Sequence, residues 1–334
     1  TEHFVQLLHD LRSSLLVSTY QANKLLVVRA LRGGLSTLVR TFERPMGLAV
    51  AGGRLTLGTR NQVWELRDAP DIAPRVAPVG QHDACFLPRS CHVTGDIGIH
   101  ELAWAGEELL IVSTRFSCLC TLQPEYSFVP RWRPPFITAL AAEDRCHLNG
   151  LCVVEGKPRY VTALGATNDK DGWRAGKATG GIVMDMHSGE IIARGLCMPH
   201  SPRWHRDKLW VLESGTGQMH VVEPSGSRAF VAGLPGFARG MVIVDRWAFV
   251  GLSKIRPTSA MAGVPLAERR EELKCGVAVV DMEAGTVAGL LEFQTAVEEI
   301  FDVQILPGIR FPEVIGFQKD EVNHTFVVPP APAT

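Results

Sequence analysis

No stretch of this chain approaches the roughly 20 consecutive apolar residues needed to cross a bilayer as a helix, so no transmembrane helix is expected. The start, Thr1-Glu2-His3-Phe4, does not have the basic-then-apolar order of a secretory leader. Neither sign of charge dominates. Lys and Arg number 34 and Asp and Glu 35, for a net charge of −1, so no overall field favours nucleic acid or an anionic membrane. Eight cysteines in 334 residues make no dense disulfide framework. They read as reduced thiols in strands, which points to the cytoplasm. There is no Walker loop, no GxGxxG after a strand, no HExxH and no G-x-S-x-G. The GTGQ at 215–218 reads as a hairpin turn.

What is present is a soluble-globular composition, 46% apolar and 21% charged, and a repeat. Pro45, Ile99, His147, His200 and Arg239 each open an apolar strand. Each strand turns on Gly, Asp or Arg and runs into a second strand ending in a small or polar patch. Repeats of about 40–50 residues built from short strands indicate a β-propeller, one four-stranded blade per repeat. Repeat starts at Pro45, His100, His147, His200, Arg239 and Glu299 give six blades in a single all-β domain spanning 1–334, or seven if 313–317 and 14–19 belong to different blades. Residues 2–13 (EHFVQLLHDLRS) form an amphipathic helix with Phe4, Leu7, Leu8 and Leu11 on one face. Residues 14–41 read as strands of a blade with no inner strand of its own. Residues 299–317 supply an inner and a second strand, so the two ends close the ring. Long connections at 68–98, 165–180 and 254–275 are expected as irregular segments, the last two as binding loops over one face. A short helical pattern lies near Pro265–Leu273, and the Pro-rich tail 328–334 is expected to be flexible.

In a propeller the residues opening the innermost strands meet at the rim of the central channel. His100, His147 and His200 come from three successive repeats. Three neutral imidazoles suit iron, copper or zinc and leave coordination positions open. Glu101 or Glu299 would complete or orient the site, with Tyr20 beside them. Arg44, Arg60, Arg115, Arg239, Lys254 and Arg256 fall on the same rim. Guanidinium forks there favour a substrate with an anionic group, a small metabolite or a peptide end. Asn168 and Asp169 join this substrate-binding set, or with Asn149 offer oxygen ligands to calcium. Each rim arginine could equally pair with a nearby acid. His82, Cys85, Cys91 and His92 fall within eleven residues, but their spacing fits no zinc pattern. Cys118 and Cys120 share a strand face and read as core.

The motifs LLVSTYQANKLLVV (15–28), RPMGLAV (44–50), IHELAW (99–104), HLNGL (147–151), HSPRW (200–204) and the segment ending VIGFQKDE carry a resemblance. They resemble a bacterial family of conserved proteins of unknown function, some found beside tetratricopeptide repeats or in biosynthetic clusters. The resemblance covers nearly the whole chain and implies no established activity. The repeat architecture also resembles six-bladed strictosidine-synthase and calcium-lactonase propellers, a likeness of fold only. Together these readings predict a metal-dependent enzyme at the channel rim that oxidatively modifies a small anionic substrate. The alternatives are a calcium-dependent hydrolase and a non-catalytic binding propeller.

Overall fold

A computed structural model describes residues 1–256, 261–318 and 320–329. Its strands form six antiparallel sheets of four, one of them extended by a fifth strand. The sheets are the blades of a six-bladed β-propeller. Their innermost strands are Leu48–Ala51, Ile99–Ala105, Leu148–Val154, Pro199–His205, Phe237–Val244 and Asp302–Leu306; the blades are numbered 1 to 6 in that order.

Each blade is sandwiched between two neighbours, so its middle strands bury both faces and read as unbroken apolar runs. Leu25–Val28 and Val277–Val280 are buried at every position. Outer strands lose one neighbour and become mixed: Gly34–Thr41 is half-buried or exposed throughout. Blade 6 takes its inner strand, Asp302–Leu306, from the far end of the chain and the other three from Ser14–Thr41. Ser14 to Ser18 pair antiparallel with Leu306 to Asp302. The N-terminal helix, Glu2–Asp10, buries Phe4, Leu7 and Leu8, with Phe4 edge-on to Phe249 of blade 5. Each such side chain contributes about 1.5–3 kcal/mol of burial.

Two sequence expectations are corrected here. The segment after Leu306 does not supply a second strand to the closing blade. Pro312–Val314 instead adds a fifth strand to blade 1, parallel to Ala84–Phe86. The 68–98 connection is not irregular throughout: it contains the outer strand of blade 1, Ala84–Val93. Cys118 and Cys120 are core residues. His82 and His92 are spent on backbone carbonyls, of Phe311 and Ala77 and of Tyr126 respectively. The tail expectation at 330–334 lies outside the described residues.

The blades are locked by a repeated clasp. Hydroxyls ending the second strands, on Ser18, Thr114, Ser214 and Ser253, donate to the next blade at the carbonyls of Met46, Leu148, Ala238 and Ile300. The residue after each accepted carbonyl is therefore one equivalent position: Gly47, Asn149, Arg239 and Phe301. His100 and His200 occupy it too, because Ile99 and Pro199 pair with Ser113 and Glu213 as Ala238 pairs with Leu252. His147 and Glu299 lie two residues earlier. The histidines thus do not share one repeat position, as the sequence alignment had them. The inner strands bulge at this level, and a bulge absorbs residues that an alignment on apolar runs cannot see.

Candidate active site at the channel mouth

The three imidazoles still meet. The His100 ring centroid lies 5.9 Å from that of His147 and 5.3 Å from that of His200. His147 reaches the others from its earlier position because its backbone adopts φ +50°. That left-handed conformation costs a non-glycine residue on the order of 1–3 kcal/mol. Its Nδ1–H donates to Asp144 (2.8 Å) and its ring packs on Trp173 (4.4 Å). His200 is buried, and its Nδ1–H is shared between the Met198 carbonyl and Ser214 Oγ, each at 2.9 Å. Burial and the neighbouring His200 and Arg239 hold His100 well below the ordinary imidazole pKa; burial and Arg239 do the same to His200. Both rings are therefore neutral at physiological pH.

Two imidazoles on one tetrahedral ion would have centroids about 5 Å apart, close to the spacing seen. The ring planes are less suited: His100 and His200 are stacked at 29°. As the side chains stand, no group of three or more His, Cys, Asp or Glu among the described residues is arranged to hold a metal ion.

Above the histidines opens a cleft of ≈ 430 Å³ lined by Met46, His100, Arg115, His147, Arg174 and Phe301 among others. The 165–180 insertion lines it through Lys170, Asp171 and Arg174, and the 254–275 insertion holds that segment. Trp173 from 165–180 packs in one cluster with Ile255, Val264, Leu266 and Leu273 from 254–275, over Leu164, Met198 and Phe237. Lys177 donates to the Ala262 carbonyl across the same junction.

The other candidate residues separate into groups. Tyr20 Oη donates to the buried Glu299, which also pairs with Arg256. Burial pushes the Glu299 carboxyl up to about 7; Arg256, whose side chain is 43% exposed, is too well solvated to reverse this. Glu101 is turned away from the histidines, into the channel. There it pairs with Arg203 and accepts the Leu151 N–H. Arg60 and Arg115 share Asp96, and Arg60 also reaches Glu43. Asn168 is spent on Thr138 and Arg145, Asp169 is exposed, and Asn149 bridges Thr162 to the Pro199 carbonyl. Lys254 donates its backbone N–H to Glu298 and is half-buried. Arg44 and Arg239 both lie over the Tyr20 ring, at 5.9 and 5.3 Å. Three residues were missed in the sequence: Phe301, packed on His100 at 4.9 Å, Trp173, and Asp144. Phe301 stands at the same repeat position as His100, so the repeat itself held that signal. Asp144 lies three residues before His147, a spacing that could have been noticed.

A closed ring of six blades with a histidine-floored cleft at one mouth defines the class of protein. Within that class, the chain belongs to the family described as a domain of unknown function (DUF4915), whose profile matches residues 2–315. No curated protein sequence matches it. Among solved structures it is similar to a chain of the nidogen/laminin complex at TM-score 0.53 and 9% identity, covering 89% of this chain and 99% of that one. It is also similar to streptogramin B lyase, at TM-score 0.40 and 13% identity over 69% and 70% of the two chains. Virginiamycin B lyase from Staphylococcus aureus matches at TM-score 0.42 and 11% identity over 71% and 76%. At these identities the first shows the propeller fold, and the lyases carry no further argument.

Proposed function

We propose that the channel mouth is the active site of a metal-dependent enzyme acting on a small substrate held in the cleft. The observation that carries this reading is the meeting of three imidazoles from consecutive blades, with the Nδ1–H of His147 and of His200 already committed to an acceptor. That commitment fixes the tautomer and leaves Nε2 with its lone pair, the pattern by which outer partners prepare histidines for a metal. Neutrality of His100 and His200 supports it, since only the neutral ring ligates. Ion binding requires the rings to turn from their present stacking. Iron, copper or zinc would suit three nitrogen ligands with open positions, giving either dioxygen chemistry or Lewis-acid activation of a carbonyl or water. The eight unpaired cysteines favour a reducing compartment, and we place the enzyme in the cytoplasm on that ground. The calcium alternative is weaker because Asn149 and Asn168 have their side chains engaged elsewhere.

The test is elemental analysis of protein purified without chelator. About one transition-metal ion per chain is expected, lost in His147→Ala with the fold retained by circular dichroism. Metal-free wild-type protein that also fails to take up iron, copper or zinc on titration overturns the proposal.

A further inference from the structure

Arg239, at the mouth, has no acid in ion-pair contact with it among the described residues. Arg239 occupies the His100/His200 position of blade 5, and its field is felt by both rings. Its Nη2 donates to the Ile300 carbonyl (3.1 Å). Its Nε is buried without a partner. Its Nη1 makes no hydrogen bond to the described residues and is not among the buried orphan atoms, so it reaches solvent. The guanidinium rests on Phe301 (4.1 Å) and faces Tyr20 (5.3 Å). No carboxylate among the described residues forms an ion pair with it. Glu299 is taken by Arg256, and Asp302 is spent on the backbone N–H groups of Leu48 and Val303. Arg44, exposed at the rim and 5.9 Å from the same Tyr20 ring, has no ion pair among the described residues either. By contrast Arg60, Arg115, Arg145 and Arg174 all have acidic partners.

A half-buried cation short of hydrogen bonds is costly; burial lowers the pKa of Arg239 to about 10, with the nearby Asp302 opposing the shift. We propose that Arg239, with Arg44 beside the same Tyr20 ring, is the subsite that binds the carboxylate of a monocarboxylate ligand and so places the rest of that ligand over the imidazoles. A single half-buried guanidinium between two aromatic rings suits one planar, singly charged group better than a phosphate dianion, which needs more donors. The proposal rests on the reading of the mouth as a substrate site, but not on its metal.

Acetate and benzoate are titrated against acetamide, benzamide and inorganic phosphate, followed by calorimetry and by the His100 and His200 NMR resonances. Saturable binding of the carboxylates that shifts those resonances, with the amides silent, is expected. Arg239→Gln weakens it about tenfold or more, the size of a lost charge-assisted pair. Because Arg239→Gln changes a half-buried side chain, Arg44→Gln serves as an exposed second variant and weakens binding several-fold. His147→Ala, which removes the metal, retains carboxylate binding; the two readings therefore fail separately. Equal binding of amides, tighter binding of phosphate, or unchanged affinity in both arginine variants overturns the proposal.

Discussion

At the scale of single residues, Glu299 titrates in the physiological range. Its carboxyl is raised by burial from an ordinary value of 4.5 to about 7, so between these values the folded chain binds more protons than the unfolded one. Stability therefore falls as pH rises through that window. Glu299→Gln cannot titrate. Relative to wild type, the variant should gain unfolding free energy between pH 5 and pH 8, measured by urea melts at each pH. Parallel curves would mean that Arg256 keeps the carboxylate ionised throughout. The histidines were legible in the sequence because they stand beside strand openings. Their mutual placement was legible only in part, since the φ of His147 and the bulges next to His100, Asn149 and His200 are backbone choices that no spacing announces. The pairing of Glu101 with Arg203 was illegible for a similar reason. It joins blades 2 and 4 across the channel, and nothing within either repeat indicates that partner.

At the scale of elements, the two insertions behave as one body. Trp173 is 2% exposed and serves both the 165–180 segment and the 254–275 segment as core. Trp173→Ala removes a buried aromatic worth about 3–5 kcal/mol and leaves Val264 and Leu266 without their cover. Both insertions should then become protease-sensitive and exchange amide hydrogens faster, together, while the blade strands keep their protection. Release of 165–180 alone would show that each insertion stands on its own. The sequence marked both as loops by their Gly, Asp, Lys and Arg content. It could not show that they grip each other, because the apolar residues responsible are few and scattered among polar ones. The strands themselves were the easiest elements to read. Packing on both faces demands unbroken apolar runs such as Leu25–Val28 and Val277–Val280, and such runs stand out in a chain where one residue in five is charged.

At the scale of the whole molecule, six blades closed by strands from both ends followed from counting repeats. The fifth strand on blade 1 did not, because three residues after a turn carry too little pattern to choose between two edges. Closure makes a sharp prediction. Removing residues 302–334 takes the inner strand from blade 6 and bares the edge of Ser14–Thr19, whose six residues are all buried. That variant should aggregate or pair through the exposed edge, whereas removing 327–334 should leave the melting temperature unchanged. A monomeric, cooperatively melting 1–301 fragment would contradict the role given to the seam. The same seam sets a schedule for synthesis. Ser14–Thr41 leaves the ribosome roughly 260 residues before Asp302–Leu306. At 5–20 residues per second that interval is on the order of 15–50 s. During it the strands of Ser14–Thr41 have no inner partner, so the nascent chain carries a hydrophobic edge throughout that interval. Slowing translation should therefore lower soluble yield, and a circular permutant whose strand order starts at residue 302 should recover it.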